Sequence, residues 1–120
     1  MSDKRNIIKD RSFAFAVRII RLHKYLSGDK KEFVLSKQLL RSGTAVGALV
    51  REAQNAESSK DFIHKLGIAQ KECDESAYWL ALLHETKYLA KKEFESMNSE
   101  AVQLLKMIRS AIITTKENCK

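Results

Sequence analysis

The chain has 120 residues, a formal net charge of +7, 44% hydrophobic residues, no proline and only four glycines. This length suits one domain with a single core, and the composition is that of a helical protein and not of a disordered chain. No segment has the roughly 20 consecutive apolar residues that a membrane span needs, and the charged N-terminus does not resemble a signal peptide. We therefore expect a cytoplasmic protein without membrane association, in which the distant Cys73 and Cys119 stay reduced.

The first predicted helix covers about residues 4–26. Apolar or small side chains recur there at alternating spacings of four and three, which is the period of a helix with one buried face. The positions on this face are Ile8, Ser12, Phe15, Ile19, Leu22 and Leu26. Gly28 follows them, and we expect it to end the helix in the left-handed conformation that glycine adopts readily.

The second predicted helix covers about residues 37–56 and begins after Ser36, a residue type that caps helix N-termini well. Gly43 and Gly47 lie in its middle, although glycine lowers helix stability. We interpret the pair as a site where the backbone of a neighbouring helix approaches closely. A ligand-binding loop at these glycines is the alternative.

The third predicted helix covers about residues 60–89, after an N-cap at Ser58 or Ser59, and the fourth covers about residues 92–116. Both repeat the spacing of apolar positions seen in the first helix. Short connections between long helices make neighbours antiparallel. We therefore predict an all-α fold, an antiparallel up-down-up-down four-helix bundle, as a single domain over residues 1–120.

Helix 1 carries more apolar surface than one bundle needs. Beside its buried face, Phe13, Val17 and Ile20 extend the apolar arc beyond the width of roughly 100° that is usual for a bundle helix. Tyr78 and Trp79 add to this surplus on helix 3. We predict that these five side chains form a homo-oligomer interface. A single bundle with an unusually thick core is the alternative.

Positive charge is concentrated in the first half of the sequence. Residues 1–57 contain twelve Lys and Arg against six Asp and Glu, whereas residues 58–120 contain ten against nine. Basic side chains on one surface suit the phosphate backbone of RNA or DNA. The predicted nucleic-acid-binding residues are Arg11, Arg18, Arg21, Lys24, Lys37 and Arg41. The alternative is a protein-interaction scaffold on which the charge serves only solubility.

Three short runs carry a family resemblance: Arg-Ser-Gly-Thr at residues 41–44, Arg-Glu-Ala at 51–53 and Tyr-Trp-Leu at 78–80. With the surrounding residues 35–80 they resemble the bacterial 23S ribosomal RNA intervening-sequence protein family, and the resemblance extends over essentially the whole chain. It implies a four-helix bundle that assembles as a homopentamer. A relative, the accessory variability determinant of diversity-generating retroelements, implies nucleic acid or a reverse transcriptase as partner. The family defines no catalytic residues.

The sequence contains little that points to catalysis, and we predict a non-enzymatic protein without cofactor or metal. Asp61 and His64 supply one near match to the two Glu-x-x-His pairs of a di-metal bundle. Cys73 has no histidine or cysteine at zinc-binding spacing. The alternative is a ribonuclease, because Arg18 and His23 resemble the Arg-x4-His element of certain helical-bundle ribonucleases.

Overall fold

Four helices make up almost the whole molecule. The computed structural model describes residues 3–119, with side chains from residue 5 onward, and has no strand in this range. The helices are α1 (Asp3–Gly28), α2 (Val34–Gln54), α3 (Ser59–Glu85) and α4 (Lys91–Asn118). Each packs against its neighbours in sequence, and α4 also returns to pack against α1, in a rod of 49 × 21 × 20 Å. The predicted four-helix bundle is confirmed.

The core is formed by the apolar seams that the sequence indicates. All six seam positions of α1 are buried, and Phe15, Ile19 and Leu26 are fully enclosed. The buried apolar residues of the other helices are Leu39, Val46, Val50, Ala53, Leu66, Ala69, Cys73, Leu80, Leu83, Met97, Ala101, Leu104 and Ile108. No helix in the described range is long and apolar enough to cross a membrane.

Gly43 and Gly47 bring α2 close to α1. A Cβ atom placed on Gly43 would lie 2.6 Å from Ile19 Cγ1, and one placed on Gly47 would lie 3.3 Å from the backbone oxygen of Ser12. These contacts also show that α1 and α2 run antiparallel, since the later glycine meets the earlier residue. The predicted close approach is confirmed, and both glycines lie inside a continuous helix instead of a ligand-binding loop.

Helix α2 begins earlier than predicted, with Phe33 at its N-cap position, because the side chain of Glu32 accepts hydrogen bonds from its first turn. The carboxylate oxygens of Glu32 accept hydrogen bonds from Leu35 N at 3.0 Å and from Ser36 N at 2.7 Å. They satisfy N–H groups that the first turn of a helix leaves without a partner. Ser36, the predicted cap, lies inside the helix and donates its hydroxyl to the backbone oxygen of Glu32. The helix therefore begins at Val34.

Lys31, and not Gly28, adopts the left-handed conformation after α1. The φ angle of Lys31 is 56°, whereas no glycine in the described range has a positive φ. The turn is closed by Glu32 N, which donates to Leu26 O at 2.8 Å. The prediction for Gly28 is wrong because the helix still includes this residue and the chain reverses only three residues later.

Helix α3 ends at Glu85, four residues before its predicted end. The N–H groups of Lys87 and Tyr88 donate to His84 O at 3.0 Å and to Leu83 O at 2.9 Å, which is the Schellman arrangement. Lys87 has a φ angle of 69°. A lysine thus occupies the left-handed position in the α1–α2 and α3–α4 connections alike, and both connections lie at the same end of the bundle.

Candidate nucleic-acid interface

Arg18 joins α1 to α4 and does not extend freely into solvent. Its guanidinium forms ion pairs with Glu93, at 2.9 Å, and with Glu100, and it also donates to Ser96 Oγ at 3.0 Å. Partial burial lowers the pKa of Arg18, but the hydrogen bonds and charges of the two glutamates outweigh this effect, so that the pKa is raised. The cation is therefore already neutralised within the bundle.

Arg41 joins α2 to α3 in the same way. It pairs with Glu72, at 3.1 Å, and with Glu75. The indole Nε1 of Trp79 donates to Glu75 at 3.0 Å and is the largest cause of a lowered pKa for this carboxylate, followed by Arg41. The hydrogen bond with Glu75 in turn raises the pKa of Arg41. Arg41 and the predicted interface residue Trp79 therefore belong to one network at the α2–α3 seam.

Arg11 also has an internal partner, although an uncharged one. Its two terminal nitrogens donate to Gln103 Oε1 of α4 at 2.9 and 3.0 Å. Three of the six predicted phosphate-binding residues thus contact a neighbouring helix. In each case the partner is more than 30 residues away in the sequence.

The other three predicted residues, Arg21, Lys24 and Lys37, are exposed. None of them forms an ion pair within residues 5–119. Arg21 and Lys24 lie in the last turns of α1, and Lys37 lies in the first turn of α2. All three are consequently at the end of the bundle that holds the α1–α2 and α3–α4 connections.

This end carries most of the net positive charge of the chain. Residues 21–37 and 85–92, which we name the basic end, contain eight Lys and Arg against three Asp and Glu, or +5 of the total +7. Lys87, Lys91 and Lys92 come from the half of the sequence that is nearly neutral. Charges from two separate segments of the sequence therefore lie together at one end of the folded rod.

Two adjoining cavities of about 450 and 540 Å³ open at the basic end. Both are lined by Tyr25 of α1 and by Tyr88, Leu89 and Ala90 of the α3–α4 connection, and we name them together the tyrosine cleft. The basic residues that line it are Arg18, Arg21, Lys30, Lys87 and Lys91. The acidic residues are Glu93, which is paired with Arg18, and Glu85. The cleft therefore combines aromatic rings with an excess of cations.

Four residues of this cleft were missed by the sequence prediction. Lys30 was assigned to a connection, Lys87 and Tyr88 to the last turn of predicted helix 3, and Lys91 to the connection that follows it. One signal was available, because a connection that lacks Gly, Asn and Pro but contains lysine and tyrosine departs from ordinary turn chemistry. This composition marks the α3–α4 connection as unusual, but it does not predict that the connection lies next to α1.

The predicted oligomer-interface residues on α1 lie outside the core. Phe13 is 63% exposed and Ile20 is 39% exposed, while Val17 is half-buried. On α3, Tyr78 is exposed and its ring meets the edge of the Trp79 ring, with 5.1 Å between centroids. These exposures argue against the thick-core alternative, because the core closes without Phe13, Ile20 and Tyr78. Assembly itself stays a prediction.

The arrangement offers no constellation for the ribonuclease alternative in the described residues. Arg18 faces α4 and is held by two glutamates. His23 is five residues further on, or about 140° around the helix, and its buried Nδ1 has no hydrogen-bond partner. Within residues 5–119, no three His, Cys, Asp or Glu side chains converge as a metal site would require.

Two comparisons relate the chain to known proteins. A family model described as 23S rRNA-intervening sequence protein matches residues 4–110. The chain belongs to this family. A solved structure of a protein with unknown function from the S23 ribosomal protein family of Bacteroides thetaiotaomicron VPI-5482 is similar, with a TM-score of 0.90, 50% identity and coverage of 91% of this chain and 97% of that chain. No curated protein matches the sequence.

The family resemblance noted in the sequence is thereby confirmed. The region that matches the 23S rRNA-intervening sequence protein family includes the whole basic end and both tyrosines of the cleft. Neither the family description nor that of the solved member names a catalytic activity.

Proposed function

We propose that this protein is a non-catalytic nucleic-acid-binding protein that contacts the phosphate backbone of RNA or DNA through its basic end. The observation that supports the proposal is the concentration of +5 of the +7 net charge at one terminus of the rod. A polyanion gains affinity there by releasing counterions to solvent, and this gain does not depend on base sequence. Arg21, Lys24 and Lys37 are the first candidates, because they are exposed and form no internal ion pair in the described range.

Arg18 and Arg41 are weaker candidates than the sequence suggests. Each would have to leave two glutamates before it could neutralise a phosphate. The exchange replaces existing ion pairs by new ones and gives little net affinity. We therefore expect the paired arginines to stabilise the bundle and the unpaired cations of the basic end to bind nucleic acid.

The test is fluorescence anisotropy of a labelled 20-nucleotide RNA, titrated at several salt concentrations. We expect affinity to fall steeply with salt. The triple variant R21Q/K24Q/K37Q should lower the slope of log affinity against log salt by about two for a single strand. The control K9Q/K71Q removes two exposed lysines outside the basic end and should leave the slope nearly unchanged. Absence of binding at low salt, or equal losses in both variants, would refute the proposal.

We further propose that the protein is a homo-oligomer, with a pentamer as the expected form, and that the outer face of α1 supplies the contact. Phe13 supports this, because a large apolar side chain that is 63% exposed lies on the same face as Ile20 and Val17. Light scattering should give a mass several times the chain mass of 13.7 kDa. Phe13→Glu should lower it, and Ile113→Glu, at a similarly exposed apolar position on α4, should not. A monomeric wild type would contradict assembly.

The second candidate is a protein-interaction scaffold, for example an accessory subunit of a reverse transcriptase. Phe33 and Val34 favour it, because both are more than half exposed at the basic end, where they could dock on a protein. Co-purification of partner proteins with and without nuclease treatment separates the scaffold function from nucleic-acid binding. A partner that stays bound after nuclease treatment and is lost in Val34→Asp, but not in R21Q/K24Q/K37Q, would favour the scaffold.

A further inference from the structure

We propose that the tyrosine cleft receives an unpaired base of a single-stranded nucleic acid, which stacks on Tyr25 or Tyr88 while the surrounding cations hold the adjacent phosphates. This inference rests on the proposed nucleic-acid-binding function and adds the form of the ligand: single-stranded, with its bases accessible.

The two tyrosine rings lack an aromatic partner among the residues that the structure describes. The described aromatic pairs are His84 with Phe94, stacked at 4.6 Å, and Tyr78 with Trp79. Tyr25 is 43% exposed and Tyr88 is 36% exposed, and neither hydroxyl forms a hydrogen bond within residues 5–119. Accessible aromatic side chains inside a concave site are what base stacking on single strands requires.

Cations surround the rings where the phosphates that flank a stacked base would lie. Lys30 Nζ lies over the Tyr25 ring, 5.9 Å from its centroid, so a base that stacks on Tyr25 displaces this lysine or takes the opposite face. Arg21, Lys87 and Lys91 line the same cleft. Glu93 does not cancel this charge, because it is paired with Arg18. Interleaving of aromatic rings and cations favours a nucleic acid strand over a free inorganic anion, for which the rings would serve no purpose.

Lys87 lines the cleft from a left-handed backbone position that Lys31 shares in the other connection. Its φ angle of 69° lies in the left-handed region, which glycine and asparagine occupy with less strain than lysine. Lys31 shares this conformation with a φ of 56° but does not line the cleft. Lys87 and Lys31 therefore offer a matched comparison. Substitution by glycine relieves the same backbone strain and removes the same charge at both positions.

A concave cleft discriminates between single strands and duplexes. In a duplex the bases are stacked on each other and paired, so their faces cannot reach Tyr25 or Tyr88 without unpairing. The phosphates of a duplex can still contact Lys24 and Lys37, which lie at the basic end outside the cleft. We therefore expect both ligands to bind, with the tyrosines contributing to the affinity for single strands alone.

The experiment compares a labelled 12-nucleotide single strand with a duplex of the same length, by anisotropy on the full-length protein. Tyr25→Leu and Tyr88→Leu should each weaken single-strand binding by roughly five- to a hundredfold, which is the range for loss of one stacked base, and should leave duplex binding nearly unchanged. Tyr88→Phe should restore binding, because the ring is retained. Ile113→Ala, at an exposed apolar position outside the cleft and outside the predicted oligomer interface, is the control.

Substitutions of Lys87 and Lys31 supply a second test of the cleft. Lys87→Gly and Lys31→Gly should both keep or raise the thermal midpoint, because each relieves left-handed strain. Lys87→Gly should weaken single-strand binding several times more than Lys31→Gly does. Equal effects of the two substitutions on binding would overturn a specific role for Lys87 in the cleft.

The remaining outcomes separate this inference from the function on which it rests. If the wild type binds RNA and R21Q/K24Q/K37Q weakens it, but the tyrosine variants bind single strands normally, the cleft inference is wrong and the proposed function stands. If the wild type binds neither strand nor duplex, both are wrong. Binding to vesicles containing phosphatidylserine, without binding to RNA, would replace both with a membrane-surface role for the basic end.

Discussion

Gly43 of α2 faces Ile19 of α1 so closely that a Cβ atom on the glycine would lie within 3.0 Å of Cγ1, Cγ2 and Cδ1 of the isoleucine. Ile19 is fully buried, and its side chain is branched at the Cβ atom, so it has no free space to enter. The glycine therefore sets the distance between α1 and α2 at the level of the core.

We expect Gly43→Ala to destabilise the protein by about 1–3 kcal/mol, because overpacking outweighs the helix propensity that alanine adds. Gly67 is the matched control, since it also lies inside a helix but a Cβ atom added there would meet no packing neighbour within 4 Å. Gly67→Ala should stabilise by up to about 1 kcal/mol. Urea unfolding measures both, and a stabilised Gly43→Ala would contradict the close packing.

Arg18 and its two glutamates should stabilise the contact between α1 and α4. The side chains of Arg18 and Glu100 are each about 30% exposed, so the coupling between them should be about 1 kcal/mol and should weaken with salt. A double-mutant cycle with Arg18→Gln and Glu100→Gln measures this coupling. RNA affinity should change little in R18Q/E93Q, which removes the cation together with the cleft glutamate that it neutralises. A loss as large as that in R21Q/K24Q/K37Q would show that Arg18 binds nucleic acid after all.

Glu75 should make stability depend on pH in the acid range. Its pKa is lowered below the ordinary value of 4.5, chiefly by the hydrogen bond from Trp79 and also by Arg41. A carboxylate with a lowered folded-state pKa contributes stability above its unfolded pKa and loses it as pH falls through the folded value. The wild type should therefore lose stability relative to Glu75→Gln below pH 4.5.

Trp79 is the only tryptophan in the chain, and its fluorescence reports on the same ionisation. Emission of the folded wild type should titrate at a pH below 4.5, because protonation of Glu75 weakens the indole hydrogen bond. The titration should be absent in Glu75→Gln. Emission that changes only together with unfolding would show that the hydrogen bond does not respond to pH.

The two cysteines should differ sharply in reactivity. Cys73 is fully buried, and burial raises its pKa to about 12, so almost no thiolate is present at neutral pH. Cys119 is exposed. Labelling with 5,5′-dithiobis(2-nitrobenzoic acid) at pH 8 should modify one thiol in the folded protein and two in urea. Fast modification of both thiols without denaturant would contradict the burial of Cys73, and Cys119→Ser should abolish the fast reaction.

Local errors in the predicted helix bounds have identifiable causes. Ser36 was expected to cap α2, but Glu32 performs this role with its side chain from outside the helix. Gly28 was expected in the left-handed position, which Lys31 occupies. In both cases the sequence contained the residue type that usually performs the task. A less usual residue nearby performs it because the connection is shorter than predicted, with α1 extending to Gly28 and α2 beginning at Val34.

The sequence by itself determined the four helices, their buried faces and the close approach at Gly43 and Gly47. These features depend on the helical period and on side-chain size, which are properties of residues a few positions apart. The tertiary structure decided which cations are neutralised and which are not. Arg18 and Glu100 are 82 positions apart, and Tyr25 and Tyr88 come from different helical hairpins. Only packing of α1 against the α3–α4 half brings such residues together, because an ion pair or a cleft depends on which helix faces meet.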